Sequence, residues 1–327
     1  MDFIDKAYEK ALAGIELSKD EIIELLNIEL GSTLDKKLRK TARSVAHIKC
    51  NDKGYLWCAV GADYAPCAMN CKFCSFGEKW NIIKKSRRYT KDEIIKIAHE
   101  FVKNGADYIV LRTTEFYSIP KLLGLVKELR IKIPGDYKIV FNTGELDMTI
   151  SGLMVEVGVN GVYHACRLRE GEDTPFDPMV RKNTMNNICR SGLDLISLVE
   201  PIGPEHSNSE IALNFLQILK YKAVISGAMA RIPVPGTPLG VSSQISDSRL
   251  AQIVAVLRLA GGNTVRDICV HPASKEALDS GANIVVVETG AIPRDTKFEN
   301  NNWNEISIDN AKKMLKSSGY SVGVKNG

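Results

Sequence analysis

The stretch Cys67-Ala68-Met69-Asn70-Cys71-Lys72-Phe73-Cys74 places three cysteines at the spacing C-x3-C-x2-C in a short polar segment. Three thiolates can hold three irons of a [4Fe–4S] cluster, and the fourth iron is then free to bind a small chelating molecule. Zinc is the alternative, but structural zinc sites normally take four ligands from paired C-x2-C turns, and no second turn of this kind follows nearby. The spacing therefore predicts a [4Fe–4S] cluster on Cys67, Cys71 and Cys74.

Strands and helices alternate on both sides of this segment. One predicted strand, residues 55–60, ends just before it, and further strands are predicted over residues 108–112, 137–142, 161–166, 193–199, 228–233, 265–270 and 284–288. Strands separated by helices of this length form β-α-β units and a parallel sheet. Eight such strands predict an α/β fold of the TIM type, a complete (β/α)8 barrel over residues 51–327 that includes a C-terminal segment.

Residues 1–50 are predicted to form a helical extension before the barrel. Ser18 begins an S-x-x-E pattern, which is the signature of a capping box. Apolar residues then recur at helical spacing from Ile22 to Ile28, and a further helix is predicted over residues 34–47. Thr90 and Gly105 mark the start and the stop of a helix after the cysteine segment, and the tail is predicted to be helical over residues 308–317.

Composition excludes several classes of protein. The 43 lysines and arginines and 39 aspartates and glutamates leave a net charge of only +4, so nucleic-acid binding is not expected. No apolar run of about 20 residues suggests a membrane span, and the first residues lack the apolar core of a signal peptide. A cytoplasmic location is expected. Eight cysteines in such a chain favour metal or redox chemistry over disulfides.

The cysteine spacing, with the aromatic Phe73 directly before the last cysteine, resembles the signature of the radical S-adenosylmethionine (SAM) superfamily. The resemblance implies that SAM chelates the open iron and that Phe73 lies beside the cofactor. It also implies that an electron from the cluster cleaves SAM and releases a 5′-deoxyadenosyl radical. A reducing electron donor is therefore an expected partner.

Two segments resemble the SAM-binding parts of this family. Thr143-Gly144-Glu145 resembles the S-x-G-E segment of the methylornithine synthase and hydrogenase-maturase branch, which implies that Glu145 binds the SAM amino group. A solvated loop carboxylate is the alternative. The segment 166–170 ends another predicted strand, and an arginine there can hold the SAM carboxylate. Arg167 fits this role best, with Arg169 as the competitor, because the spacing does not decide between them.

Three later segments extend the resemblance. Residues 200–205 partly match a G-x-I-x-G-x-x-E segment, which implies that Ile202 and Gly203 pack against the adenine of SAM. Residues 236–239 read G-T-P-L and residues 281–283 read G-A-N, as in biotin synthase. Together the matches run from about residue 50 to residue 295. The chain is thereby identified as a member of the biotin-synthase-like subgroup, with biotin and lipoyl synthases, methylornithine synthase and hydrogenase maturases.

The chain departs from biotin synthase at its second cluster. The comparable positions, near Leu111, Val140 and Ile196, are not cysteines. Cys166 and Cys269 fall at predicted strand ends and are expected to face the barrel interior. They are candidate ligands of an auxiliary iron–sulfur cluster, and ordinary buried thiols are the alternative.

The leading functional prediction is sulfur insertion into a small or lipoyl-type substrate. Radical rearrangement or cofactor building is the alternative within the subgroup. An iron–sulfur protein that only binds SAM or transfers electrons is the alternative of another class. A partner protein or a homodimer stays open.

Overall fold

Helices begin where the sequence supplies capping side chains. The computed structural model describes residues 2–290 and 306–323. In it, the hydroxyls of Ser18 and Thr90 accept hydrogen bonds from the backbone amides of Glu21 and Glu93. The two glutamate side chains accept hydrogen bonds from the backbone amides of Ser18 and Thr90 in return. The capping box predicted at Ser18 and the helix start predicted at Thr90 are confirmed, and Thr90 also forms a capping box. The helices are α1 (Phe3–Leu12), α2 (Lys19–Leu26), α3 (Thr33–Cys50), α4 (Lys91–Lys103), α5 (Ile119–Lys132), α6 (Met148–Glu156), α7 (Pro178–Ser191), α8 (Asn208–Lys220), α9 (Asp247–Ala260), α10 (Lys275–Leu278) and α11 (Ile308–Ser317).

The strands form a closed parallel barrel. They are β1 (Tyr55–Gly61), β2 (Asp63–Tyr64), β3 (Arg87–Arg88), β4 (Tyr108–Arg112), β5 (Lys138–Asn142), β6 (Gly161–Tyr163), β7 (Asp194–Ile196), β8 (Val199–Ile202), β9 (Ile225–Ala230), β10 (Asp267–His271) and β11 (Ile284–Gly290). Neighbours follow the order β1, β4, β5, β6, β7, β9, β10 and β11, and β11 pairs with β1. This closure confirms the predicted (β/α)8 barrel. Outside it, β2 and β3 form a small antiparallel pair.

Side chains alternate between two apolar layers along each strand. On β1, Trp57 and Ala59 point into the barrel, whereas Leu56 and Cys58 join the outer layer beneath the helices. The Trp57 ring stacks on Tyr108 of β4, with 5.5 Å between the ring centroids. Because side chains fill the barrel interior, ligands can bind only at its ends, and in this fold the active site lies at the carboxyl ends of the strands.

Several strands differ from their predicted bounds, including the one over residues 161–166, which ends at Tyr163. The predicted strand over residues 193–199 is interrupted after Ile196, and the chain pairs again with β9 from Val199 to Ile202. The predicted strand over residues 228–233 is β9, which ends at Ala230. The next residue, Arg231, pairs with Glu205.

The first three helices pack on the barrel through α8 and α9, and they share the outer apolar layer with it. The predicted tail helix is confirmed with its bounds unchanged, as α11. None of the described helices is both long and apolar enough to span a bilayer.

Barrel closure leaves no room for a side chain at Gly227. Its φ is +148°, and a Cβ there would lie 1.8 Å from the carbonyl oxygen of Cys269 on β10. We expect Gly227→Ala to lower the free energy of unfolding by about 1–3 kcal/mol or more, because the two backbones must move apart. Gly124→Ala on α5 is the matched control, since its Cβ would meet nothing within 4 Å. Alanine there should stabilise the helix by roughly 0.5–1 kcal/mol. Equal denaturation midpoints for the two variants would contradict this account of the closure.

Candidate active site

The cysteine loop folds back on itself directly after β2. The Cys67 amide donates to the Phe76 carbonyl at 2.7 Å, and the Cys74 amide donates to the Cys71 carbonyl at 3.0 Å. Asn70, with a φ of 49°, reverses the chain between the first two cysteines. As a result, all three cysteines are half-buried and line one cavity together with Phe73.

This cavity lies at the carboxyl end of the barrel. It measures about 920 Å³ with its open mouth included. The other walls come from the ends of neighbouring strands and from the start of α7: Arg112, Thr113, Thr114, Glu115, Asn142, Thr143, Tyr163, His164, Ala165, Arg167, Phe176 and Arg181. The three cysteines therefore share their cavity with three arginines and several hydrogen-bonding groups, in the place where barrel enzymes carry their active sites.

Arg167 and Arg169 lie in different places. Arg167 lines the cavity, with its Nε 3.3 Å from Glu200 Oε1 and its Nη1 3.7 Å from Glu170 Oε1. Burial alone would lower the pKa of Arg167, but the two carboxylates outweigh it and raise that pKa. Arg169 instead donates to Glu210 at 2.7 Å, outside the cavity. The structure thus brings Arg167, and not Arg169, to the cysteines.

Glu145 lies behind the cavity wall. Its Oε1 is 2.7 Å from Arg181 Nη1, and its Oε2 accepts the Thr184 hydroxyl and lies 3.4 Å from His164 Nε2. Burial, with Arg181 nearby, holds the pKa of His164 well below its usual range. Glu145 is therefore connected to the cavity through Arg181 and His164, which both line it.

Arg181 and Glu115 are two of the site residues that the sequence did not indicate. Arg181 is only 2% exposed, its guanidinium lies 3.6 Å over the Phe176 ring, and its Nε and Nη2 make no hydrogen bond within the described ranges. Burial raises the pKa of Glu115, and Arg181 opposes that shift. The one sequence feature connected with Glu115 is the glycine at position 144, because a Cβ there would lie 2.4 Å from the Glu115 carbonyl oxygen. The glycine of the T-G-E segment thus lets the loops after β4 and β5 touch.

Ile202 and Gly203 lie at the end of β8 and do not line this cavity. Ile202 is buried in the outer apolar layer. Gly203 packs against Arg231, whose guanidinium would lie 2.4 Å from a Cβ at this position. The contact of these two residues with adenine stays a prediction.

Cys166 and Cys269 lie on opposite sides of the barrel wall. Cys269 belongs to the interior apolar cluster with Met229, whereas Cys166 belongs to the outer apolar layer. The Cys166 carbonyl accepts a hydrogen bond from the side-chain amide of Asn214 on α8. Burial raises the pKa of both thiols. The expectation that both face the barrel interior is therefore wrong for Cys166. Its strand ends at Tyr163, and the chain beyond turns the thiol outward.

The donor groups at the cavity fit an iron–sulfur cluster with SAM beside it. Three cysteines at C-x3-C-x2-C supply three soft ligands, and Arg167 and Arg181 both keep buried guanidinium nitrogens without a hydrogen bond among the described residues. Such nitrogens suit a carboxylate. Burial raises the pKa of the Cys71 thiol to about 12, an effect that Arg167 opposes. In the part of the chain that the structure describes, no cysteine beyond these three lines the cavity.

Comparisons with known proteins agree with this donor set. Residues 65–166 match the family model described as "Radical SAM superfamily". The biotin synthase of Sulfurihydrogenibium sp. (strain YO3AOP1) is 23% identical over 296 residues, which cover 82% of each chain. The 3-methylornithine synthase of Methanosarcina acetivorans is 24% identical over 324 residues, which cover 90% of this chain and 85% of that protein.

Two solved structures share the whole fold. Methylornithine synthase (PylB) has a TM-score of 0.81 at 18% identity and covers 98% of this chain and 97% of its own. HydG, a maturase of the [FeFe]-hydrogenase, has a TM-score of 0.80 at 15% identity and covers 97% of this chain and 75% of its own. These likenesses support the barrel, and the sequence matches confirm the resemblance to the radical SAM superfamily and its biotin-synthase-like subgroup.

The burial of the thiols predicts an order of chemical labelling. The eight cysteines divide into half-buried ones, Cys67, Cys71, Cys74 and Cys189, and buried ones, Cys50, Cys58, Cys166 and Cys269. Iodoacetamide attacks thiolates, so in folded, cluster-free protein we expect the half-buried group to be labelled first. Labelling of Cys71 should rise about tenfold per pH unit from pH 7 to 9, because its pKa near 12 lies above that range. Peptide mass spectrometry measures both effects, and early labelling of Cys166 or Cys269 would contradict the packing.

Proposed function

We propose that this radical SAM enzyme binds a [4Fe–4S] cluster through Cys67, Cys71 and Cys74 and uses it to abstract hydrogen from a small polar substrate in the barrel mouth. When bound, the cluster and SAM supply the 5′-deoxyadenosyl radical. The observation that carries the proposal is the convergence of the three cysteines with Arg167 and Arg181 on one cavity.

Arg167 and Arg181 are proposed to hold the SAM carboxylate. Glu170 and Glu200 orient Arg167, and Glu145 orients Arg181. These contacts hold the guanidinium groups in place before the ligand arrives, which reduces the ordering cost of binding. Phe73, buried at the cavity wall beside the cysteines, is proposed to exclude water from the cluster.

The SAM ammonium has two candidate partners. The resemblance assigns it to Glu145, which also anchors Arg181. Glu115 is the second candidate because it lines the cavity itself. Both carboxylates lie within reach of Arg181, at 2.7 Å and 3.7 Å.

Rearrangement or fragmentation of the substrate is the better-supported reaction. Arg112, Asn142 and Tyr163 place a cation, an amide and a phenol from three neighbouring strands on the cavity, where Arg112 pairs with Glu288 and the Tyr163 hydroxyl donates to Glu200. A polar lining of this kind suits a small polar molecule. Sulfur insertion into a small or lipoyl-type substrate is the second candidate. It would need a sulfur donor, and within the described ranges the inner side of the barrel wall offers Cys269 but not Cys166.

Anaerobic reconstitution tests the reaction class. Wild-type protein should bind about four irons, the content of one cube, and should convert SAM to methionine and 5′-deoxyadenosine with dithionite. The Cys67→Ala, Cys71→Ala, Cys74→Ala triple variant should lose both the iron and the cleavage. Cys189→Ala, which removes a half-buried thiol on α7, is the matched control and should keep both.

The iron count also separates the candidate reactions. About eight irons in wild type would indicate a second cube and restore sulfur insertion as the leading function. A reconstituted protein that binds SAM without cleaving it would be an electron-transfer or SAM-binding protein instead. A triple variant that kept its iron would overturn the proposed ligands.

Replacement of the two glutamates tests the ammonium site. We expect Glu145→Gln to raise the Kd of SAM roughly tenfold or more, because charge-assisted hydrogen bonds contribute about 1.5–3 kcal/mol. For a SAM analogue that lacks the amino group, the Kd of the Glu145→Gln variant should be close to the Kd of wild type. Glu115→Gln serves as the matched variant in the same titrations. If Glu115→Gln alone shows the loss, Glu115 is the partner of the ammonium. If Glu145→Gln weakens SAM and the analogue equally, Glu145 acts through Arg181.

A further inference from the structure

The outer side of the cysteine loop carries a dense group of positive charges. Residues 78–91 contain six lysines and arginines and one carboxylate, although the whole chain has a net charge of only +4. Five of the cations form what is called here the basic surface, and all five are exposed: Lys79, Lys84, Lys85, Arg87 and Arg88.

The basic surface is held directly against the cysteines. The Lys79 amide donates to Asn70 Oδ1 at 2.8 Å, and the Trp80 indole donates to the Cys71 carbonyl at 3.3 Å. A Cβ at Gly77 would lie 2.2 Å from the indole nitrogen, so this glycine allows Trp80 to cover the loop. A half-exposed aromatic ring thus stands between Cys71 and the surrounding solvent.

The part of the basic surface that contains Arg87 and Arg88 is strand β3, which pairs with β2. Arg87 of β3 pairs with Tyr64 of β2, and Cys67 follows Tyr64 by three residues. Since an extended chain advances at most about 3.6 Å per residue and paired strands lie about 5 Å apart, the Cα atoms of Arg87 and Cys67 lie within about 16 Å. The cations therefore lie close to the cysteine loop.

Most of this charge is available to a partner. Lys79, Lys84 and Lys85 make no ion pair with any other described residue. Arg87 makes one exposed ion pair, at 3.3 Å with Glu93, and its guanidinium lies 4.2 Å over the Tyr89 ring. Arg88 lies 5.1 Å over the Tyr117 ring, and the adjacent Phe116 is 70% exposed. An exposed aromatic residue bordered by cations is typical of protein interfaces, which are enriched in aromatic residues and arginine.

We propose that the basic surface docks a small acidic one-electron carrier protein. The inference rests on the proposed function, which requires a reductant. The carrier is oxidised by one electron, the cluster on Cys67, Cys71 and Cys74 gains that electron, and no bond or proton changes place. Opposite charges steer such encounters and raise their rate by about 10 to 10³-fold. Electron-transfer interfaces are small, so a short charged patch is sufficient.

The patch suits an acidic protein better than a nucleic acid. Its cations are few, they border Trp80 and Phe116, and they lie close to the cysteine loop. An acidic carrier domain that delivers substrate is a different occupant. It would alter product formation even when a small chemical reductant supplies the electron, and the experiment separates these outcomes.

The test compares two charge-reversal variants. Lys84→Glu, Lys85→Glu changes the basic surface, and Lys36→Glu, Lys40→Glu changes two exposed lysines on α3, which packs on α9. SAM cleavage is measured at low salt with a reduced acidic ferredoxin and, separately, with dithionite. Titration of ferredoxin onto each reconstituted protein gives its affinity directly.

We expect the Lys84, Lys85 variant to lose roughly tenfold or more in ferredoxin-driven cleavage and in ferredoxin affinity, following the scale of electrostatic steering. Its rate with dithionite should stay within twofold of wild type, and the α3 variant should match wild type throughout. High salt should reduce the difference in ferredoxin-driven cleavage between the Lys84, Lys85 variant and wild type.

Unchanged ferredoxin affinity in the Lys84, Lys85 variant, or an equal loss in the α3 variant, would overturn the proposal. So would tighter binding of a short RNA than of ferredoxin by wild type. If wild type fails to cleave SAM with dithionite, the proposed function fails, and the ferredoxin titration still decides the docking surface.

Discussion

Backbone pairing between β9 and β10 closes the sheet, and the whole active site depends on that closure. In a closed parallel barrel, every strand ends on the same rim. Side chains from the cysteine loop, from the segments after β4, β5 and β6, and from α7 therefore meet around one cavity, although more than a hundred residues separate Cys67 from Arg181. The absence of a side chain at Gly227 allows the two strands to approach.

Local signals made the barrel predictable. Capping residues such as Ser18 and Thr90 act within one turn of chain, and buried strands stand out as short apolar runs, so the order of elements followed from the sequence. Arg181 and Glu115 could not be found in this way, because their importance comes from tertiary contacts between α7 and the loop after β4.

The side-chain directions of residues 166–169 could not be predicted from the sequence, and the reason is geometric. Residues two apart in a strand face the same side, so Arg167 and Arg169 were equivalent in sequence. In the structure, Arg169 has a φ of +52°, which is not a strand conformation, and its side chain leaves toward Glu210. Cys166 was misplaced for the same reason: β6 ends three residues early, and alternation no longer decides where the thiol points.

The β2–β3 pair closes the cysteine loop at its base, and Lys72 within the loop also hydrogen-bonds to Asp173 and Leu239. Both ends of the segment between Tyr64 and Arg87 meet at this short pair, so the length of the segment can change without displacing β1 or α4. Loop-closure entropy grows only slowly with length, so lengthening the segment adds little free-energy cost. The outer face of this segment can therefore diverge during evolution, or be exchanged by design, while the strand ends around the cavity stay the same.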